Sequence, residues 1–396
     1  MDWKNSYSEK LQQFVQDHLE EDPAKLFLAQ KQPLDFDLKL AFGQLQARQK
    51  ALKKIPTWAK HPSLVFPPNL SVEQASSEET ALFKSGLVRG STMADLTGGF
   101  GVDTYYLSKE FDKAYYCERN EELSSLFAHN MEVLGETKFS IFSGNSIDFL
   151  KRFEGKLDLI YADPARRGGH NQKLYKLVDC EPDIVAHWDL LKSKSKSILL
   201  KASPMLDLKQ ALMELPDIQQ IWVVSVRNEV KEVLLSWEEE KERSERHIHC
   251  IDLHPHGNKA FDFTFEAEED CVSSFSDIGA KLVEPMAAIL KAGAFKSFGR
   301  RFGLAKLHPN SHLYTAADVA ENVPGRIFEV VQEVSNPKKE LKQLFPSGKV
   351  NVITRNFAIK AEELKKKYKL KDGGEDYLIG TKVGEKYKLL FCKRIN

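Results

Sequence analysis

The 396-residue chain has no apolar run approaching the length of a membrane span, and it opens on MDWKNSYSEKLQQF, which is too polar for a signal peptide. A membrane-spanning or secreted protein is therefore not expected. Cysteine is scarce: Cys117, Cys180, Cys250, Cys271 and Cys392 are scattered, odd in number and lack a C-x-x-C pair. This argues against a disulfide scaffold or a zinc ribbon, and fits reduced thiols in a cytoplasm. Net charge is absent as well, since 57 Lys and Arg balance 57 Asp and Glu. The balance hides an asymmetry. Residues 296–396 hold 21 basic against 11 acidic residues, so this segment carries +10 and the preceding 295 residues carry −10. A basic segment of this kind is expected to meet a polyanion. With 42% hydrophobic residues the chain can bury more than one core, and its length fits roughly two or three domains.

Chemistry is concentrated between residues 91 and 167. The short apolar stretch Ser91–Leu96 runs into Thr97-Gly98-Gly99-Phe100-Gly101, a strand, tight turn and helix junction. Glycines are expected there so that a cofactor can approach the main chain, and because one position requires positive φ. Val102 to Lys109 resumes a helical rhythm, with first-turn amides facing the ligand. The next strand, Lys113–Cys117, ends on Glu118, seventeen residues beyond Gly101. A carboxylate at that place accepts from both hydroxyls of a ribose. The nicotinamide and flavin fingerprint is incomplete, because Thr104 stands where its third glycine belongs, and no Gly-Lys-Ser/Thr follows to make a P-loop. A fourth strand, Leu157–Ala162, delivers Asp163-Pro164-Ala165-Arg166-Arg167 at its carboxyl end, where open α/β sheets place their chemistry.

These residues resemble the class I S-adenosylmethionine (SAM)-dependent methyltransferases. Asp95, Gly99 and Gly101 match the first motif, Asp/Glu-x-Gly-x-Gly-x-Gly, while Thr97 replaces its first glycine, as in a related Asp-Leu-Thr pattern. The resemblance implies SAM as cofactor, bound around Asp95, Thr97, Gly98, Gly99 and Gly101, with Glu118 on the ribose. It places Asn145 or Ser146, after the third strand Phe139–Ser143, beside adenine. Asp163 corresponds to the acidic residue of the Asp/Asn-Pro-Pro-aromatic motif of amino-group methyltransferases, which holds a nitrogen beside the methyl donor. Catalysis is therefore expected at Asp163, Pro164 and Arg166, with Asp163 also bordering the cofactor. Ala165 replaces the second proline and Arg166 the aromatic; a guanidinium stacks on bases and pairs with phosphates, so Arg166 or Arg167 can supply either contact. Carbon-5 methylation uses a cysteine nucleophile. Lys201-Ala202-Ser203-Pro204, after the fifth strand Ser197–Leu200, has none, which favours a nitrogen acceptor. Methyl transfer by in-line displacement needs alignment and no metal. Lys201 and Ser203 stand at the cleft mouth as substrate contacts or structural supports.

The basic segment has the order β-α-β-α-β-β: Gly325–Val334, Asn336–Leu344, Lys349–Thr354, Lys360–Leu370, the Gly373-Gly374 break, Asp376–Lys382 and Lys386–Lys393. With Lys291–Lys296, Leu307–Tyr314, Thr354–Phe357 and Asp372–Tyr377, it resembles the THUMP-like domain that follows a class I methyltransferase in a group of bacterial proteins. That likeness implies RNA, tRNA or rRNA, as partner, with Arg355, Asn356, Lys365, Lys366 and Lys367 joining Arg167 as candidate contacts. Upstream, Ser71 with Gln74 and Ser76 with Glu79 have capping-box spacing. Glu73, Gln74 and Ser76 either cover the methionine end of SAM or only cap helices. Residues 1–60 show helical periodicity and a basic patch from Arg48 to Lys54. His247, His249, Cys250, His254 and His256 look like a zinc set, but His249 and Cys250 are neighbours on a strand and face opposite ways. Alternation in Phe261, Phe263 and Phe265 marks the reversed last strand.

The expected architecture is α/β: a doubly wound, Rossmann-like, seven-stranded sheet over residues 71–270, an N-terminal helical region over 1–70, and a C-terminal α+β (ferredoxin-like or THUMP-like) domain over 271–396 with its core at 325–396. The expected activity is methylation of a base nitrogen in structured RNA. A protein or small-molecule methyltransferase whose C-terminal domain mediates assembly, and a SAM- and RNA-binding protein without catalysis, are the alternatives.

Overall fold

The computed structural model describes residues 7–29, 35–166, 176–241 and 246–396. The first eleven strands, in chain order, are β1 (Thr92–Asp95), β2 (Lys113–Glu118), β3 (Phe139–Ser143), β4 (Leu157–Ala162), β5 (Ala165–Arg166), β6 (Cys180–Glu181), β7 (Ser195–Ala202), β8 (Gln220–Val226), β9 (Glu229–Glu238), β10 (His247–Leu253) and β11 (Lys259–Thr264). They are distributed over two compact units, one of residues 1–219 and 233–243, the other of residues 220–232 and 244–396. Among the described residues no helix is long and apolar enough to cross a membrane.

In the first unit the sheet order is β3-β2-β1-β4-β7, all parallel, followed by the second half of β9 running antiparallel to β7. The sequence explains this order. LDLIYA in β4 and SKSILLKA in β7 are nearly continuous apolar runs, as strands covered on both faces require. Helices Val102–Leu107, Glu121–Val133 and Ser146–Arg152 follow β1, β2 and β3 in turn. The crossover rule of parallel sheets therefore brings the carboxyl ends of β1, β2 and β4 to one edge.

The N-terminal helices are built into this unit. Trp58 packs edge-on against Phe100 at 5.2 Å, within a core that also holds Ala51, Phe66, Tyr106, Phe127 and Met131. Val65 exchanges two 2.9 Å hydrogen bonds with the Asn130 side chain. Arg48, the first residue of the basic patch Arg48 to Lys54, is wholly buried. Its guanidinium donates to the carbonyls of Ala59, His61, Pro62 and Leu64 at 2.7 to 3.0 Å and to the Tyr7 hydroxyl at 3.1 Å. The two terminal nitrogens of a rigid, planar guanidinium can gather a loop of carbonyls in this way, while Nε is left without a partner among the described residues. The helix starts are shifted too. Ser77, not Ser76, caps the helix Glu78–Ser85 through Thr80, and Ser71 lies inside the helix Asn69–Gln74.

In the second unit β8 turns into β9 through Arg227 and Asn228, both at positive φ (49° and 65°), as a two-residue hairpin turn demands. Strand β8 pairs in parallel with β10, and β10 antiparallel with β11, the reversed last strand expected at Phe261 and Phe263, although Phe265 opens a helix. Among the described residues the sheet counts nine strands where seven were expected. Cys250 is buried, while His249 on the other face meets Asp262 at 2.6 Å and stacks on Trp222. Among the described residues no group of three His, Cys, Asp or Glu is arranged to hold a metal ion. Strands β12 (Lys281–Pro285), β13 (Ala305–Lys306), β14 (Tyr314–Ala316), β15 (Gly325–Glu333), β16 (Asn351–Arg355), β17 (Asp376–Val383) and β18 (Lys386–Arg394) form a second sheet, ordered β13-β14-β12-β15-β18-β17-β16. From β15 onward the element order is the expected one, with helices Pro337–Leu344 and Ala361–Tyr368 between the strands. Neighbouring residues of β17 and β18 divide between two cores: Leu378 and Leu389 join Leu341, Phe345 and Leu364, whereas Ile379 and Leu390 join Leu282, Phe328 and Ile353.

Candidate active site

The turn after β1 is organised by two side chains that point inward. Asp95, expected at the cofactor, is only 1% exposed and lies beneath the turn. One oxygen accepts from the Thr97 amide (2.8 Å) and hydroxyl (3.2 Å), and the other from the Thr104 hydroxyl (2.5 Å). Burial pushes its carboxyl up to about 7 against the pull of these hydrogen bonds. Thr97 uses its hydroxyl twice, donating to Asp95 and accepting from the Asp163 amide at 2.7 Å. The residue that replaces a motif glycine thereby ties the end of β1 to the end of β4.

The three glycines answer different needs. A Cβ on Gly98 would lie 2.2 Å from the Tyr116 ring, and one on Gly101 would lie 2.2 Å from the Phe127 ring. Those rings stack on each other at 4.0 Å and 4°, so neither can yield. Gly99, at φ +54°, meets nothing nearer than the Thr97 carbonyl at 3.7 Å, and here the chain is bare toward open space. Its amide donates to Glu118 at 2.9 Å, and the Asn120 amide donates to the other Glu118 oxygen at 2.8 Å. The Tyr116 hydroxyl holds the Gly99 carbonyl at 2.6 Å. Glu118 is thus fixed at the tip of β2, partly exposed, beside the turn.

Behind the turn lies an ionic cluster that the sequence did not announce. Asp103, in the first turn of the helix after Gly101, accepts from Ser76 and Tyr161 at 2.7 Å each and pairs with Lys84 at 3.2 Å and Lys201 at 3.4 Å. Burial alone would raise its carboxyl; the two ammonium groups and the two hydroxyls outweigh it and hold Asp103 below the usual carboxylate range. Lys84 is fully buried. Lys201 also reaches Asp163 at 2.5 Å and Ser76 at 3.1 Å, so one ammonium bridges the ends of β4 and β7. Ser76 therefore turns inward to this cluster, while Glu73 pairs with Lys50 at the surface. Lys84 had no sequence signal. Asp103 had one, since it follows Gly101 by two residues and opens a helix.

Other candidate residues fall around this centre. Asn145, expected with Ser146 beside adenine, uses its side-chain oxygen to cap the helix Ser146–Arg152 by accepting from Ile147 at 2.9 Å, and Ser146 is buried. Pro164 is buried, and Ala165 and Arg166 pair with Glu181 and Cys180 in a short ladder of β5 with β6. Arg167 lies outside the described residues. The Ser203 hydroxyl accepts from the Met205 amide at 3.2 Å, a local turn contact.

Of the C-terminal candidates, Arg355 turns to Glu284 at 2.6 Å, where Arg326 also binds, because a carboxylate 98% buried needs cations more than a surface does. Asn356, at φ +50°, donates to His308 at 3.0 Å. Lys365 is engaged by Glu362 at 2.5 Å and Asp372 at 2.6 Å. Lys366 and Lys367 stand exposed on the same helix.

Comparison with known proteins decides the family. Residues 325–394 match a THUMP domain-like family and residues 282–324 a ferredoxin-like domain family. The crystal structure of a putative methyltransferase from Porphyromonas gingivalis W83 is 33% identical to this chain, with 98% of each chain covered and a TM-score of 0.86. The chain belongs to that methyltransferase family. Its architecture is that of a SAM-dependent methyltransferase-like protein with C-terminal ferredoxin-like and THUMP-like domains. Two Mycobacterium tuberculosis proteins, described as uncharacterized S-adenosylmethionine-dependent methyltransferases, are 21% identical over 319 residues, spanning 79% of this chain and 84% of each of theirs. The C-terminal part, expected as one domain, thus matches two adjoining families.

Proposed function

We propose that this methyltransferase transfers the methyl group of SAM to a base nitrogen of structured RNA, tRNA or rRNA, and that its basic THUMP-like domain binds that RNA. The donor set fits SAM. Glu118, fixed by two amides, retains acceptor capacity for a ribose; the turn at Gly99 is open to a close-lying ligand; and Asp163 borders the same strand ends. When bound, SAM supplies a methyl group on a sulfonium, poised for in-line displacement.

The observation that carries the reading is the double restraint on Asp163, whose amide is held by Thr97 and whose carboxylate is held by Lys201. A carboxylate fixed in this way accepts a hydrogen bond from an acceptor amino group and aligns its lone pair, which is the larger part of what such a displacement needs. Pro164 stiffens the segment that follows, and in this reading the guanidinium of Arg166, in the β5–β6 ladder, contacts the base or its phosphate. The cytoplasm, with its RNA and SAM, is the setting this reading implies.

The test is transfer of labelled methyl from SAM to RNA. Asp163→Ala is expected to lower kcat about 100-fold while leaving SAM affinity within about threefold. Equal turnover in the variant would refute the role of Asp163, and labelling of protein instead of RNA would refute the substrate.

A further inference from the structure

In the second unit a cavity of about 300 Å³ lies between the helix Phe295–Phe302, strands β13 and β14, and residues 272–274. Lys296, Arg300 and Lys306 line it together. Most other cations of this unit that touch a charged partner meet a carboxylate: Arg326 and Arg355 share Glu284, Lys281 meets Asp318, Lys382 meets Glu385, and Lys388 meets Glu333. The three cavity cations have only weaker company among the described residues. Lys296 donates to the Glu269 carbonyl at 2.7 Å, and Arg300 touches the Cys271 sulfur at 3.6 Å. Lys306 donates to the Pro309 carbonyl and to His312 Nδ1. Glu268, the nearby carboxylate, is used by the helix itself, accepting from the Lys296 and Ser297 amides at 2.8 Å each.

An ammonium buried as deeply as Lys306, at 4% exposure, is costly to keep; the charge of Glu268 offsets part of that cost through space, but among the described residues no carboxylate touches it. Its neighbour His312 stacks on Phe295 at 3.6 Å. The remaining walls are mixed: Ser273 and Ser274 are polar, and the rest is apolar or bare. Leu304 and Tyr314 stand over Gly299, where a Cβ would come within 3.0 Å of the Leu304 carbonyl and 3.2 Å of the Tyr314 ring. A cationic end and an apolar floor in one small pocket suit a ligand with an oxyanion head and a flat body.

We propose that this cavity binds a phosphate monoester of a nucleoside, the phosphate held by Lys296, Arg300 and Lys306 and the nucleoside resting against Leu304 and Tyr314. Its volume suits one nucleotide and not a strand passing through. The source is a free nucleotide or the phosphorylated end of an RNA. The cavity is built from residues of the second unit alone and shares none with the proposed methyl-transfer site, so its test does not depend on that activity.

Calorimetric titrations of the full chain with AMP, with adenosine, and with a pentanucleotide carrying either a 5′-phosphate or a 5′-hydroxyl separate these cases. AMP is expected to bind, with adenosine at least about tenfold weaker. Arg300→Gln and Lys296→Gln are each expected to weaken AMP about tenfold, and the exposed Lys339→Gln to leave it within about twofold. Arg300 is itself exposed, so its replacement leaves the fold intact, and circular dichroism checks this. Tighter AMP binding assigns the site to free nucleotides; tighter binding of the 5′-phosphorylated oligonucleotide, lost in its hydroxyl form, assigns it to an RNA end. Adenosine binding as tightly as AMP, affinity indifferent to Arg300→Gln and Lys296→Gln, or no binding of any phosphate probe overturns the proposal.

Discussion

At the scale of single residues, Thr97 and Asp95 show how a motif position can be met by unexpected chemistry. A glycine at 97 would leave the Asp163 amide without its side-chain acceptor, so the hydroxyl supplies a link that a bare turn could not. Asp95 is held beneath the turn by three donors, yet burial raises its carboxyl to about 7. A group raised in the folded state contributes stability below its unfolded value, near 3.9, and loses that contribution as pH climbs through the folded value. Asp95 therefore makes the protein less stable between about pH 4 and pH 7. Asp103 has the opposite sign: held below the usual range, it contributes above that range and fails only in strong acid. Asp95→Asn should gain on the wild type as pH rises from about 4.5 to 7.5, measured by urea unfolding at each pH. A stability difference that stays flat across that window contradicts the assignment. Asp95, Glu118 and Asp163 were legible as strand-end acids. Lys84 and Tyr161 were not, because their partner Asp103 is distant in sequence and no local spacing encodes the meeting.

At the scale of elements, the glycine turn separates two causes that a motif merges. Gly99 and Gly101 share positive φ, so alanine at either position incurs a similar backbone penalty, about 1–2 kcal/mol. Gly101 alone also faces a ring at 2.2 Å. Gly101→Ala is therefore expected to be less stable than Gly99→Ala by roughly 1–3 kcal/mol in thermal or urea unfolding. Equal destabilisation would mean that the Phe127 ring moves aside and that packing is not the constraint. Local patterns revealed much at this scale. The apolar run within Gly325–Val334 and the Gly373-Gly374 break marked the elements from β15 to β18 within a few residues, and neighbouring residues of β17 and β18 serve a core on either face. Strands β13 and β14 escaped notice because they span only two and three residues, too few to establish a period. One helix start slipped by one residue because Ser76 and Ser77 are equally good caps by letter, and the buried Asp103 claims the first.

At the scale of the whole molecule, charge divides along the chain, with residues 296–396 holding the basic surplus. The structure narrows which of those cations are available to a polyanion. Arg355 and Lys365 are engaged by carboxylates, whereas Lys366 and Lys367 are exposed. RNA affinity of the full chain should fall steeply with salt, and the Lys366→Gln, Lys367→Gln double variant should flatten the log–log slope by about 0.7–0.9 for each phosphate no longer neutralised. An unchanged slope would mean that other residues bind the RNA.

The hold of Glu118 on the sugar of the methyl donor underlies the whole functional reading, and calorimetric titration of SAM into the purified chain and into Glu118→Ala tests it most directly. The expected result is saturable one-to-one binding by the wild type, weakened at least about tenfold in the variant. Failure of the wild-type chain to bind SAM, or equal affinity in the two proteins, would contradict it.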